Sequence, residues 1–308
     1  MSYRIWEPQE LAPRTNCPVC DARAEGPVLA LRWDGLSLRR CIACALLFVD
    51  PVPTSAALAR CYGPDYFRSS IYRSRIGPDR DYRDISDHDI RAGQIEGRAT
   101  LTDNFDLRGK SILEIGCATG ALLQSLRQLH PQRLVGIDIA SEPIEFGRKR
   151  YGLDLRSLTL EDARFGDAEF DLIVAFDVIE HVDNIRTFLA QAVRSVKPGG
   201  AIVLRTPNGD SLAPSGRRWT YLHYGLEHVV YLSPRTLKYL ADQQKLTIEK
   251  LWSDGCPAYV PYRRQERWRI FKMIREPVNF FRNTFDRWRL HALARKNQGL
   301  DFVAILRR

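Results

Sequence analysis

Glu114-Ile-Gly116-Cys117-Ala118-Thr119-Gly120 sets a carboxylate at the end of an apolar run, with two glycines four residues apart. An apolar strand that ends in a glycine turn and opens a helix brings backbone N–H groups to the carboxyl edge of a sheet, at the positive end of that helix. A dinucleotide would call for Gly-x-Gly-x-x-Gly, because a pyrophosphate must approach the backbone. Glu114 would repel a pyrophosphate and suits a ligand bearing an ammonium group. The next apolar run ends Gly136-Ile-Asp138, where a carboxylate can accept hydrogen bonds from both hydroxyls of a ribose. Ribose and ammonium without pyrophosphate describe S-adenosylmethionine.

Were that ligand a methyl donor, transfer from its sulfonium would need alignment and, for a hydroxyl acceptor, a base. His181 follows one apolar run, and the pair Glu227-His228 follows another, so these three are the candidate catalytic residues. Imidazole has the intrinsic pKa for the task. His181 has a second reading, as a helix-start histidine packed beside the cofactor; Tyr221 and His223 are spare candidates in the loop of His228. Asp177 is expected beside the methionine end of the cofactor, as a carboxylate meeting a cation. The loop over 206–228 is long for a strand-to-helix connection, and long loops usually carry function. Its Arg217, Arg218 and Trp219 would suit a phosphorylated or sugar-bearing substrate, or form a solvated tip.

Four of the seven cysteines form two Cys-x-x-Cys pairs, Cys17/Cys20 and Cys41/Cys44, with twenty residues between them. The intervening stretch alternates like a hairpin, so each pair sits on a turn beside a strand. That is the plan of a zinc ribbon, in which four thiolates close a tetrahedron around Zn²⁺. Four cysteine ligands leave no open position, so the metal is structural.

These groups must be positioned by a larger scaffold. From 109 onward apolar strands at 111–115, 133–138, 154–158, 170–176, 200–206, 247–253 and 301–307 alternate with helices at 119–129, 141–151, 184–196 and 233–244. The pattern predicts an α/β, doubly wound, seven-stranded sheet with a small N-terminal zinc-ribbon-like module. The expected organisation is a module over 1–60, a helical linker or lid over 61–108 with one or two helices, the last near 87–104, and a cofactor-binding domain over 109–308. Tyr66, Phe67, Tyr72 and Tyr82 in the linker could close over a ligand or pack a lid onto the core. An insertion over 256–298 carries Trp268, Phe271, Val278, Phe281, Phe285, Trp288 and Ala292 at helical spacing. Over 263–296 eleven Lys/Arg stand against three acidic residues, a composition suited to a membrane surface, to the protein's own core, or to the second subunit of a homodimer.

The net charge of +9 and the pI near 9.3 favour acidic partners. No N-terminal apolar core and no membrane-length apolar run is present in the sequence, and the cysteines read as reduced thiols or metal ligands. A cytoplasmic location is therefore expected, at the inner membrane surface only if the insertion takes the membrane role among its three.

Residues 109–206 resemble the class I S-adenosylmethionine-dependent methyltransferases. The elements carrying the resemblance are Glu114 to Gly120, Gly136-Ile-Asp138, the run Phe170–Val182 reading FDLIVAFDVIEHV, and Lys197-Pro-Gly-Gly200, in family order and spacing. Ala118 departs from the pattern, where glycine is commoner. The resemblance implies cofactor contacts from Glu114, Gly116, Cys117, Gly120, Asp138, Ile139 and Asp177, and an adenine contact at Leu160 to Asp162, through Glu161 or Asp162. The cysteine pairs with LLFVDPVPT and CYGPDYF resemble the zinc-binding module of bacterial methyltransferases that act on sugars or other secondary metabolites. The segment 225–240 resembles the Glu-His segment of sugar C-methyltransferases in that group. The leading expectation is methylation of a hydroxyl on a sugar, glycolipid or nucleotide-linked glycan precursor. The alternatives are C-methylation of a keto-sugar nucleotide, and a zinc-ribbon nucleic-acid-binding or RNA-modifying protein; against the last, the ribbon lacks basic residues interleaved with aromatics.

Overall fold

Strands buried on both faces read as continuous apolar runs, and the runs at 111–115, 170–176 and 301–307 fold that way. The computed structural model describes residues 6–62, 81–92, 95, 97–254 and 299–308. The insertion over 263–296, with its expected membrane or subunit contact, and Tyr66, Phe67 and Tyr72 lie outside the described residues.

The N-terminal segment supplies β1 (Leu11–Ala12), β2 (Val28–Leu31), β3 (Ser37–Arg40), β4 (Leu47–Asp50) and β5 (Val52–Pro53). Helix α1 (Ser55–Cys61) follows, its first turn capped by Thr54, whose side chain accepts from the Ala57 amide. Two helices, α2 (Tyr82–Ala92) and α3 (Arg98–Thr102), lie in the linker where one or two were expected, and they divide the span near 87–104 assigned to the last of them. Gly97 breaks the run with a left-handed φ of +79°.

The scaffold then runs β6 (Ser111–Ile115), α4 (Ala121–Leu126), β7 (Arg133–Asp138), α5 (Ser141–Tyr151), β8 (Asp154–Ser157), β9 (Phe170–Phe176), α6 (Ile185–Ser195) and β10 (Val196–Pro207). After a long connection come β11 (Val230–Tyr231), α7 (Pro234–Gln243), β12 (Thr247–Asp254) and β13 (Asp301–Arg307). Seven of these strands form one sheet in the order β12-β13-β10-β9-β6-β7-β8. β13 pairs antiparallel with both its neighbours, and the pairs from β10 to β8 are parallel. Strand order reverses between β6 and β9, and in open α/β sheets the ligand crevice lies at that switch, beyond the carboxyl ends.

Alternate residues feed two cores: Leu113, Ile115, Ile173 and Ala175 on one face, Ile112, Leu172 and Val174 on the other. Leu38, Leu46 and Phe48 of the N-terminal segment belong to the first core. A second sheet has the order β11-β4-β3-β2, with Val230 opposite Phe48 and Tyr231 opposite Leu47. The segment just after Glu227-His228 thus forms an edge strand of the N-terminal module. No helix among the described residues is long and apolar enough to cross a membrane.

Candidate active site

All five residues of β6 are buried, and the chain leaves it through Gly116 (φ +74°), Ala118 (φ +46°) and Gly120 (φ +74°). The left-handed φ at Ala118 is the physical reason that glycine is commoner there. Asp138, at the end of the adjacent β7, fastens this turn: its Oδ2 accepts from the Ala118 amide at 2.9 Å and its Oδ1 from the Ala140 amide at 2.8 Å. Glu114 is buried, and among the described residues its Oε2 has no hydrogen-bond partner. Burial, reinforced by the Asp138 charge, pushes the Glu114 carboxyl well above the usual range. An ammonium group beside it would supply both the missing donor and the opposite charge, so the turn fits the cofactor its pattern implies. At the mouth of the turn Ile139 is 48% exposed and Leu158 37%, apolar surface suited to a flat ring. Glu161 and Asp162 are exposed, and Asp162 is held by the Thr159 hydroxyl at 2.7 Å. Asp177, expected to meet a cation, meets one from the protein: Arg205 Nε donates to its Oδ1 at 3.2 Å.

The histidines proposed from two separate segments come together. The His181 and His228 rings lie 4.5 Å apart, edge to face. His181 sits in a short helical turn, Ile179–His181, just beyond β9, and its Nδ1 pairs with the Tyr62 hydroxyl. The next residue back, Glu180, is fully buried; its Oε2 accepts from Thr206 Oγ1 at 2.9 Å and its Oε1 lies 4.0 Å from His181 Nε2. Burial is also what pushes the Glu180 carboxyl well above the usual range. The Val229 amide donates to the Glu180 carbonyl at 2.9 Å, which stitches the two histidine segments together. His228 is 3% exposed and Glu227 is fully buried. Tyr221, 5.2 Å from the His228 ring, donates its hydroxyl to Asp301 Oδ1 at 2.5 Å. Ligand atoms of Glu180, His181 and His228 all lie within 4.8 Å of one another, so the trio could also hold a cation.

Gly225 makes room for the His228 ring. It has φ +62°, and a Cβ built there would stand 2.5 Å from His228 Cε1. Gly225→Ala should therefore displace the imidazole and destabilise the loop by about 1–3 kcal/mol. Thermal unfolding beside a histidine NMR spectrum checks this; parental values for both would contradict it.

The long loop differs from its sequence reading in one respect. Trp219 is fully buried, and its Nε1 donates to Ser211 Oγ at 2.6 Å, so it packs the core and leaves ligand contact to others. Arg217 and Arg218 are exposed. His223 meets Trp33 of the N-terminal module edge to face, with ring centroids 4.2 Å apart. Tyr62 and Glu180 escaped the sequence reading, although Glu180 stood next to a chosen histidine and repeats the Glu-His pairing of 227–228.

The sulfurs of Cys17, Cys20, Cys41 and Cys44 converge, with Cys17–Cys44 at 3.6 Å and Cys20–Cys41 at 3.5 Å. A Zn–S bond of about 2.3 Å puts tetrahedral sulfurs roughly 3.8 Å apart, so the cluster fits one zinc ion. The hydrogen bond from Cys44 pulls the Cys17 thiol down to about 5, toward the thiolate a metal requires.

A profile of a methyltransferase-domain family matches residues 87–251, more than half of the chain. The ubiquinone biosynthesis O-methyltransferase of Dechloromonas aromatica (strain RCB) is 27% identical over 157 residues, covering 48% of this chain and 62% of that protein. The mitochondrial ubiquinone biosynthesis O-methyltransferase of Rattus norvegicus is 34% identical over 116 residues, 35% of this chain and 33% of its own. The chain thus spans less than two thirds of the length of these curated relatives. Geranyl diphosphate C-methyltransferase from Streptomyces coelicolor A3(2) superposes with a TM-score of 0.51 at 16% identity, over 78% of this chain and 88% of that one. A SAM-dependent methyltransferase from Archaeoglobus fulgidus gives 0.50 at 17%, over 74% and 100%. At such identities the likeness is one of fold. The family profile covers the glycine turn after β6 and both histidine segments, and this chain belongs to that family of methyltransferase domains.

Proposed function

We propose that this protein transfers the methyl group of S-adenosylmethionine to a hydroxyl of a small molecule, with His228 as general base. The observation that carries the reading is the His181–His228 pair, 4.5 Å apart beside the switch point between β6 and β9. When bound, the cofactor supplies an activated methyl on a sulfonium. Asp138 would hold its ribose, and Glu114 its ammonium group. His228 takes the proton of the acceptor hydroxyl, with Glu227 and His181 flanking it, while the buried loop keeps water from the imidazole. A sugar, glycolipid or nucleotide-linked glycan precursor remains the acceptor class of this reading. The O-methyltransferase names of the curated relatives support oxygen over carbon as the accepting atom.

Calorimetry with S-adenosylmethionine tests the cofactor half of this reading. Asp138→Ala should weaken binding at least about tenfold, the size of one lost charge-assisted hydrogen-bond pair. Unchanged affinity in that variant would remove the ribose assignment. The acceptor half is tested by incubating the protein with S-adenosylmethionine and a panel of sugar nucleotides, glycolipids and phenols, and measuring S-adenosylhomocysteine.

A second reading rests on the Glu180–His181–His228 trio. A divalent cation there would lower the pKa of a coordinated acceptor hydroxyl and take over the role of the base. Turnover that depends on added Mg²⁺ and is lost in Glu180→Gln would favour it; turnover indifferent to Mg²⁺ would leave the imidazole as the base.

A further inference from the structure

The backbone that carries Glu227 and His228 is gripped by a side chain from the other end of the sequence. Arg32 and Asp34 lie in the hairpin turn between β2 and β3, and both side chains are fully buried. Arg32 Nη1 donates to the His228 carbonyl at 2.6 Å and Nη2 to the Leu226 carbonyl at 2.6 Å. Nη1 also reaches the Tyr231 hydroxyl at 3.3 Å. Asp34 holds the opposite side of the guanidinium, accepting from Nε at 3.2 Å and pairing with Nη2, while the Leu36 amide donates to Asp34 Oδ1 at 3.2 Å. The same module adds two further ties, from the Trp33 amide to the Leu222 carbonyl at 2.9 Å and from the Val49 amide to the Val229 carbonyl at 3.0 Å.

We propose that Arg32 is a positioning residue for His228, and that the metal-bound N-terminal module sets the geometry of the methyl-acceptor site through it. The inference rests on the reading of His228 as the base. A buried ion pair is a poor device for stability alone, since apolar residues of similar volume often serve as well or better. What an apolar side chain cannot do is fix two carbonyls on either side of Glu227, and a planar guanidinium with five donors can. Those carbonyls define the backbone from which the imidazole projects, while the Val229 amide ties the same stretch to Glu180 beneath it. Asp34 orients the guanidinium and compensates its charge. β3 then leads from this hairpin directly into Cys41, so disorder at the metal cluster has a short covalent path to the clamp.

The experiment uses the full, zinc-loaded chain saturated with S-adenosylhomocysteine, labelled with ¹³C at its six histidines. His228→Ala assigns the His228 resonance by its disappearance. Arg32→Met/Asp34→Leu removes both buried charges together, and Arg32→Lys keeps the charge but loses the fork. In either variant the His228 resonance should leave its parental position while zinc content and cofactor affinity hold. Turnover on an acceptor from the panel should fall about 10²-fold, the scale of a misplaced catalytic group, with KM for S-adenosylmethionine unchanged. Stripping the zinc should displace the same resonance. If the double variant does not fold, Arg32→Lys decides. A parental His228 resonance in a folded variant would overturn the proposal. Parental turnover in His228→Ala would instead remove the base reading and leave the NMR result standing.

Discussion

His228→Ala should lower turnover by about 10²–10⁴, the usual contribution of a general base, and leave S-adenosylmethionine affinity near the parental value. The split follows from placement. His228 belongs to the loop ahead of β11, whereas the cofactor turn and Asp138 belong to β6 and β7. The deletion removes a ring packed against His181, Tyr221 and Tyr231, so some loss of stability is expected as well. His181→Ala should disturb cofactor affinity in addition, because it follows β9 directly at the switch point and ties down Tyr62. Near-normal turnover in His228→Ala, with loss in His181→Ala, would reverse the two roles. Activity in both would exclude each imidazole as the base and direct attention to Glu227 and Tyr221.

Removal of zinc should have the largest effect on stability. Elemental analysis should find one zinc per chain, and Cys41→Ser should lose it. Structural zinc contributes an apparent binding energy of about 10–16 kcal/mol in isolated finger peptides, so little of the module should stay ordered without it. The loss will not stay local. Cys17, Val19, Cys41, Cys44 and Leu46 share one continuous core with Leu113, Ile173 and Leu204 of the large sheet. Thermal unfolding of the zinc-free protein should therefore begin well below that of the parent. A metal-free preparation with full thermal stability would contradict the assignment of the cluster.

The seven-stranded sheet was legible because its central strands are largely apolar and the turn after β6 carries glycine at left-handed positions; the runs at 111–115, 133–138, 170–176 and 301–307 match β6, β7, β9 and the antiparallel β13. Asp138 and the glycine turn were legible for the same reason, since each lies within a few residues of its strand. What escaped depends on pairs remote in sequence. Arg32 reads as an ordinary charge in a hairpin, and only folding buries it against residues 226–231. Trp219 looked like a ligand contact because an indole in a loop has no visible partner, yet Ser211 provides one across two helical turns. The break at Gly97 was hidden by helix-forming neighbours on both sides.

The pairing of β11 with β4 also bears on how the chain is made. Residues 47 and 48 leave the ribosome early, and their partners 230 and 231 leave it late. Arg32 meanwhile has its charge partner Asp34 at once but waits for the carbonyls of Leu226 and His228. Contacts of such separation form slowly, because a long loop must close before they contribute. The cysteine knuckles, closer in sequence, can gather metal first and present a finished three-stranded platform. The loop that carries His228 then docks on that platform as one of the last events, so nascent chains stalled before residue 230 should hold zinc yet lack an ordered His228.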